Sequence, residues 1–278
     1  MINEINIDRI VRERTGKKAK FVPKWLTNLL ARIIHQEFIN IYLRRGRVGV
    51  DFCRGVVEYV GVTVDVVGKE NLPDDGRLYT FVSNHPLGAI DGVTLGWVIG
   101  EHYDGKIKYL VNDLLMNLEG LAPLCVPINK VGKQARSLPA LVESTFASDC
   151  QVVMFPAGLC SRKQDDGSIR DLPWNKAFIV KSGQHQRDIV PIHCEGRNSN
   201  RFYNVARWCK RLHLPNFAMA LLPDEMYRSR GNHYIVRIGK PIPWQTFDDS
   251  KKPAEWGRWV QDRVYSLTPA PSPRRGEN

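Results

Sequence analysis

Apolar side chains recur at three- and four-residue steps through Trp25, Leu26, Leu29, Leu30, Ile33, Ile34, Phe38, Ile41 and Tyr42. That spacing predicts one apolar helical stripe of about five turns. Lys24, Arg32, Arg44 and Arg45 stand at its polar positions or ends. A second helix is predicted over Val50–Tyr59. After it the period changes. Val62–Val67 alternates apolar and polar residues, and Asn71-Leu72-Pro73-Asp74-Asp75-Gly76 has turn chemistry. Short apolar runs at Leu78–Val82, Lys108–Val111, Leu124–Pro127, Val152–Phe155, Ile189–His193, Ala218–Leu222 and Tyr234–Ile238 read as strands. Helical patterns over Gly92–Ile99, Gln134–Phe146, Asn175–Lys181 and Phe202–Arg211 fill most of the gaps, and a last helix is predicted over Pro253–Leu267.

Strands alternating with helices predict an α/β layer fold with functional loops at the strand ends. Residues 1–60 are expected to form a basic, helical, membrane-facing segment, and residues 61–267 the main domain. The proline-rich, charged stretch 268–278 is expected to be a disordered tail.

Composition narrows the partners. With 43% hydrophobic and 25% charged residues in 278, the chain is globular rather than disordered. Its net charge of +11 favours an anionic partner, such as phosphate-bearing lipid, nucleic acid or coenzyme. No helix-turn-helix, zinc or aromatic-platform signature is present, which argues against nucleic acid. Six cysteines, at 53, 125, 150, 160, 194 and 209, form no Cys-x-x-Cys pair, so a reduced chain without a metal site is expected. Met1–Lys20 carries charges throughout and has no apolar signal core. No run approaches the roughly 18–20 uncharged apolar residues of a spanning helix. Any encounter with a membrane is therefore expected at its surface. Arg9, Arg12, Arg14, Lys17, Lys18 and Lys20, followed by the stripe beginning at Trp25, suit an anionic interface. The same stripe also suits packing on a core.

The chemistry-bearing residues lie in two loops. Ser83-Asn84-His85-Pro86-Leu87-Gly88-Ala89-Ile90, with Asp91 directly after, follows a strand and opens a helix. A carboxylate beside a histidine can fix the imidazole tautomer and stabilise its charged form, as a base on a hydroxyl requires. Pro86 breaks the strand, Gly88 permits a tight turn, and Asp91 falls at or near a helix N-cap. The second loop, Phe155-Pro156-Ala157-Gly158-Leu159-Cys160-Ser161-Arg162, again follows an apolar strand. A further strand reads Val190-Pro191-Ile192.

In that order, these blocks resemble the lysophospholipid (glycerolipid) acyltransferase superfamily, over roughly residues 60 to 240. Its signatures are Asn-His-x-x-x-x-Asp, a mid-chain Gly…Phe-Ile-x-Arg, Phe-Pro-Glu-Gly-Thr-Arg-Ser and Val-Pro-Val. The first block is most similar to a bacterial subgroup with Asn-His-Pro-Leu-Gly, which includes hemolysin-like acyltransferases and O-acyltransferases of amino-acid-headgroup lipids. The resemblance implies a mixed, largely parallel sheet flanked by helices. It implies a histidine base acting on an acceptor hydroxyl that attacks an acyl thioester, with no covalent enzyme intermediate. Carried over by position, the base is His85 and its partner Asp91. Asn84, Gly88, Lys130, Pro156, Gly158, Ser161, Arg162, Lys163 and Arg197 are the implied substrate-binding positions. The amides of the second loop are candidates for the oxyanion.

Three departures matter. Five residues, not four, separate His85 from Asp91. One extra residue turns a helical carboxylate by about 100°, so the pair forms only if Pro86-Leu87-Gly88 bulges. Ala157, Leu159 and Cys160 replace the Glu, Thr and Arg of the third block, which argues against a glycerol-phosphate acceptor. Lys130 stands where the family has Arg, supplying charge without the planar fork. Arg162, Lys163, Lys130 and Arg197 are a candidate cradle for a headgroup, for coenzyme phosphates or for a carrier's phosphopantetheine, and Glu195-Gly196-Arg197-Asn198 a candidate wall of the same mouth.

The resemblance therefore implies an O-acyltransferase, taking its acyl group from acyl carrier protein or acyl-coenzyme A and needing no other cofactor. The acceptor is lysophosphatidic acid or an amino-acid-headgroup lyso-lipid, and Ala157 favours the second. Its expected place is the cytoplasmic face of the inner membrane, bound peripherally. No Gly-x-Ser-x-Gly elbow, Gly-x-x-x-x-Gly-Lys or Gly-x-Gly-x-x-Gly occurs, which removes the usual serine-hydrolase and nucleotide-loop alternatives. A non-catalytic binder of anionic membrane is the remaining alternative.

Overall fold

The computed structural model describes residues 4–16, 22–112, 115, 118–128 and 138–268. Lys17, Lys18, Lys20, Lys130, residues 134–137 of one predicted helix and the tail beyond Thr268 lie outside the described residues.

Four helices open the chain: α1 (Ile7–Thr15), α2 (Lys24–Ile33), α3 (Gln36–Leu43) and α4 (Gly49–Val60). The stripe predicted as one helix is broken at His35, whose backbone is left-handed at φ 53°. Such a residue cannot continue a right-handed helix. Two contacts fix the break: His35 Nε2 lies 2.7 Å from Asp224 Oδ1, and the ring stacks on Tyr227 at 3.8 Å. Tyr42 and Leu43 of α3, and Phe52, Val56, Val57 and Val60 of α4, are buried in the same core as the sheet.

Then β1 (Thr63–Val67) and β2 (Tyr79–Ser83) lead to α5 (Ile90–His102), β3 (Ile107–Asn112), β4 (Cys125–Ile128), α6 (Leu138–Phe146) and β5 (Gln151–Met154). A two-residue hairpin, β6 (Arg162–Lys163) with β7 (Ile169–Arg170), precedes α7 (Ala177–Gln184) and β8 (Asp188–Cys194). The chain ends with α8 (Asn200–Arg211), α9 (Leu222–Arg228), β9 (His233–Ile238) and α10 (Pro253–Tyr265). The run Ala218–Leu222, predicted as a strand, instead forms a 3₁₀ turn over Phe217–Leu221 that enters α9. Pro223 in the first helical turn, followed by Asp224 and Glu225, explains the difference, since all three favour a helix N-terminus.

The seven-stranded sheet has the order β1-β9-β8-β2-β5-β3-β4. Every neighbouring pair is parallel except β8 with β9. The sheet is thus mixed and largely parallel, with helices on both faces. Its central strands carry apolar residues on both faces, as a doubly covered sheet requires. Phe81, Val153 and Val190 form one cross-strand row facing the core of α3, α4 and α5. One residue on, Val82 and Met154 turn to the opposite core, with Phe178 of α7 and Trp256, Val260 and Val264 of α10. Each fully buried side chain of this kind contributes about 1.5–3 kcal/mol. Because β8, β2 and β5 are parallel neighbours, their carboxyl ends, Cys194, Ser83 and Met154, open on one edge. The three loops that leave them meet there.

Arg187 secures the other end of these strands. Its buried guanidinium donates to the carbonyls of Phe146 (2.7 and 2.9 Å), Ser148 (2.7 Å) and Cys150 (2.8 Å). It thereby caps α6 and the turn entering β5. Burial pulls its pKa down to about 10, so it remains charged at neutral pH. Arg187→Met leaves these carbonyls unsatisfied and should cost about 3 kcal/mol or more. Urea unfolding should show a lower midpoint with an unchanged slope; a loss below about 1 kcal/mol would mean that the cluster is not structural.

Candidate active site

The site begins where β2 runs out of ladder. Asn84, 2% exposed, pairs with the Cys194 backbone as a peptide would. Its Oδ1 accepts from Cys194 N at 2.7 Å and its Nδ2 donates to Cys194 O at 2.9 Å. This pair of hydrogen bonds continues the β2–β8 pairing past Ser83 and Ile192 and fixes the direction of the next residue.

His85 is then held by its backbone from both sides. Its N–H donates to Asp171 Oδ1 at 3.2 Å, and its carbonyl accepts from Ser161 N at 2.8 Å. Ser161 Oγ also donates to Asp171 Oδ1, while Trp174 Nε1 donates to Asp171 Oδ2 at 2.9 Å. Asp171 is buried and was not singled out in the sequence. It sits in Ile169-Arg170-Asp171-Leu172-Pro173-Trp174, where no local spacing marks it.

The five residues between His85 and Asp91 do bulge, and they bulge around Asp91. One oxygen, Asp91 Oδ2, accepts from Leu87 N (2.9 Å) and Gly88 N (3.1 Å) and lies 3.1 Å from His85 Nδ1. The other oxygen accepts from Gly92 N at 2.8 Å. Asp91 lies in the first turn of α5, two residues past the N-cap Ala89. The positive end of the helix favours the carboxylate there. Gly88 has φ 81°, and a Cβ on it would come within 2.6 Å of Cys160 Sγ and 2.7 Å of Leu222 Cδ2. Only glycine fits this turn at this packing distance.

The His85 ring stacks on Phe155 with centroids 4.0 Å apart, and its side chain keeps 16% exposure. Burial disfavours the imidazolium, but the charge and hydrogen bond of Asp91, reinforced by Asp171, outweigh it and raise the His85 pKa above its ordinary 6.5. For Asp91, burial works against ionisation; His85 and the amides of Leu87 and Gly88 overcome it and hold the carboxyl below 3.8. The His85 contribution to stability is thus complete below pH 6.5 and fades as pH rises through the raised value. That of Asp91 is present above pH 3.8 and fades as pH falls through the lowered one.

The second loop packs against the first. Phe155–Gly158 is a tight turn closed by Gly158 N to Phe155 O at 2.9 Å, with Gly158 at φ 69°. The Gly158 amide is therefore occupied by the turn; the amides of Ala157 and Leu159 have no partner among the described residues. Pro156 is buried, and its carbonyl accepts from the Asn175 side chain. Ser161, 1% exposed, has its hydroxyl committed to Asp171, and burial pushes the Cys160 thiol up to about 12. Neither is placed as a nucleophile.

Of the four cations expected to form a cradle, Arg162, Lys163 and Arg197 are among the described residues. Arg162 Nη1 donates to Cys160 O at 2.6 Å and Ser161 O at 3.2 Å, and its guanidinium lies over Phe202 at 5.5 Å. It closes its own loop. Lys163 is exposed on the hairpin, and Arg197 is exposed and bonded to Asn200. Lys130 lies outside the described residues. The wall from Glu195 is present in part: Asn198 Nδ2 donates to Pro86 O at 3.2 Å, and Gly196 packs on Leu87. Of the positions expected to touch substrate, Asn84 and Ser161 are buried and Gly88 is half-buried, and all three take part in building the loops.

A histidine hydrogen-bonded to a buried carboxylate, at the carboxyl edge of a largely parallel sheet, is an arrangement chemically able to take a proton from a hydroxyl. A sequence model described as acyltransferase matches residues 9–270. A lyso-glycine lipid O-acyltransferase of Bacteroides thetaiotaomicron is 57% identical over 95% of this chain and 97% of its own. Another so named, from Phocaeicola vulgatus, is 52% identical over 95% of each. Among solved structures, the 1-acyl-sn-glycerophosphate acyltransferase PlsC of Thermotoga maritima is 15% identical, with a TM-score of 0.47 over 79% of this chain and 78% of that one. The chain belongs to the acyltransferase family and is an acyltransferase.

Asp91→Asn removes the charge that raises the His85 pKa and leaves the burial that lowers it. The acidic limb of the pH–rate profile should then move to lower pH, while the plateau falls about 10²-fold. A limb that stays in place or moves up would separate Asp91 from the titration of His85.

Proposed function

We propose that this acyltransferase moves a fatty acyl group from a thioester donor to the free hydroxyl of a lyso-glycine lipid, with His85 as general base. The observation that carries the reading is the His85–Asp91 pair, in a chain 57% and 52% identical to two lyso-glycine lipid O-acyltransferases. Asp91 accepts a hydrogen bond from the Nδ1–H, which keeps the proton on Nδ1 and leaves the lone pair on Nε2. Nε2 removes the hydroxyl proton as the oxygen attacks the thioester carbonyl carbon. The unpaired amides of Ala157 and Leu159 are candidate donors to the oxyanion that develops. Collapse breaks the C–S bond and leaves an ester, and His85 returns the proton to the departing thiolate.

Two features favour a glycine-lipid acceptor over a lysophosphatidic one. The second loop has Ala157, Leu159 and Cys160 in place of its family's polar residues. Its arginine, Arg162, is turned onto its own carbonyls rather than offered as a free fork for phosphate. Acyl carrier protein and coenzyme A both remain donors to be compared. No helix among the described residues is long and apolar enough to cross a membrane, so the site is read as working at a membrane surface.

Purified protein given lyso-glycine lipid with either acyl-carrier-protein or acyl-coenzyme A thioester should form the diacylated lipid, read by mass spectrometry. Lysophosphatidic acid in its place should react more slowly. His85→Ala should lower the rate by about 10²–10⁴. Preferred turnover of lysophosphatidic acid would overturn the acceptor assignment, and full activity of His85→Ala would overturn the base.

A further inference from the structure

Four of the large exposed apolar side chains crowd into ten residues: Trp208 (61% exposed), Leu212 (55%), Leu214 (48%) and Phe217 (57%). They occupy the outer end of α8 and the loop that follows it. The same stretch carries Arg207, Lys210, Arg211 and His213, all exposed. Among the described residues none of Arg207, Lys210 or Arg211 has an ion-pair partner. From Glu195 to Asp224 the chain contains no acidic residue between them. Aromatic and aliphatic side chains standing in water among unpaired cations are unfavourable for a free surface. That combination fits one environment well, the headgroup boundary of an anionic bilayer, where apolar groups enter the acyl region and cations meet phosphates.

The opposite face of α8 explains what docking there would achieve. Phe202, Tyr203 and Ala206 are buried with Cys160, Ala218 and Leu222 in a single cluster. Cys160 and Leu222 are the two side chains packed against Gly88 of the His85 loop. One helix, about 10 Å thick, therefore separates the exposed patch from the two catalytic loops. At its other end Arg201 pairs with Asp224, which also holds His35 and Arg228, so α8 is fastened rather than free to swing.

We propose that Trp208, Leu212, Leu214 and Phe217, flanked by Arg207, Lys210 and Arg211, form a monotopic docking surface for an anionic phospholipid bilayer, and that it delivers the His85 loop to lipid at the interface. The surface is distinct from the N-terminal helices, whose exposed Trp25 and Leu29 lie on α2. An acidic protein would be drawn by the cations alone and gives no reason for four exposed apolar side chains.

The test is vesicle co-sedimentation of the full chain, which requires no turnover and so stands or falls apart from the acceptor assignment. Liposomes of phosphatidylglycerol and phosphatidylethanolamine serve as the anionic membrane, and phosphatidylcholine as the neutral one. The parent protein should partition onto anionic vesicles, and at least tenfold less onto neutral ones. Trp208→Ser/Leu212→Ser/Phe217→Ser and Arg207→Gln/Lys210→Gln/Arg211→Gln should each weaken anionic-vesicle binding at least tenfold. Unchanged thermal unfolding would show that both variants fold. Turnover of a short-chain acceptor dispersed below its micelle concentration should be retained by both. Unchanged vesicle binding in both would overturn the proposal, as would binding abolished by Trp25→Ser/Leu29→Ser while the α8 variants bind normally. A loss confined to the use of acyl carrier protein as donor would reassign the patch to that protein.

Discussion

One carboxylate oxygen organises this site. Asp91 Oδ2 gathers two backbone amides, from Leu87 and Gly88, and faces the imidazole Nδ1 of His85. A buried carboxylate with fewer partners would sit at a cost of several kcal/mol. The amides keep it ionised in the core, and an ionised Asp91 in turn sets the tautomer and basicity of His85. The bulge that brings the amides round requires the left-handed Gly88. The extra residue between His85 and Asp91 is therefore part of the device, because it supplies the curvature that lets one oxygen serve the loop and the imidazole together.

A second carboxylate holds the same histidine from behind. Asp171 grips the His85 amide and the Ser161 hydroxyl, and Ser161 N returns a bond to the His85 carbonyl. The serine and arginine that close the second sequence block thus act as architecture. Ser161 clips one loop to the other, and Arg162 ties off its own turn on the Cys160 and Ser161 carbonyls. Both loops rest on fully buried parallel strands, so small displacements of His85 are resisted by the sheet itself.

Much of this was legible from residues alone. Seven of the eight apolar runs read as strands became strands, because parallel strands covered on both faces are short apolar blocks with turn chemistry around them. The His85–Asp91 pair was visible as chemistry, although its geometry depended on φ at Gly88. Ala218–Leu222 misled because a short apolar run does not distinguish strand from buried helix; Pro223-Asp224-Glu225 held the missing signal. Nothing in the stripe from Trp25 to Tyr42 marks the break at His35, which is imposed by Asp224 and Tyr227 from far along the chain. The β6–β7 hairpin was announced only by Asp166-Gly167 between two-residue strands. Asp171 was invisible for the same reason as the His35 break: the two partners through which it holds the loops, Ser161 and His85, lie 10 and 86 residues away.

The account rests on Asp91 directing which nitrogen of His85 is basic. Nitrogen-15 NMR of histidine-labelled protein, with His85 identified by the spectrum of His85→Gln, reads this directly. On the alkaline side of its titration, His85 should be held as a single tautomer, protonated at Nδ1 and bare at Nε2. A ring protonated at Nε2, or one averaging between the two tautomers, would contradict the assignment of Asp91 as the group that orients the His85 imidazole.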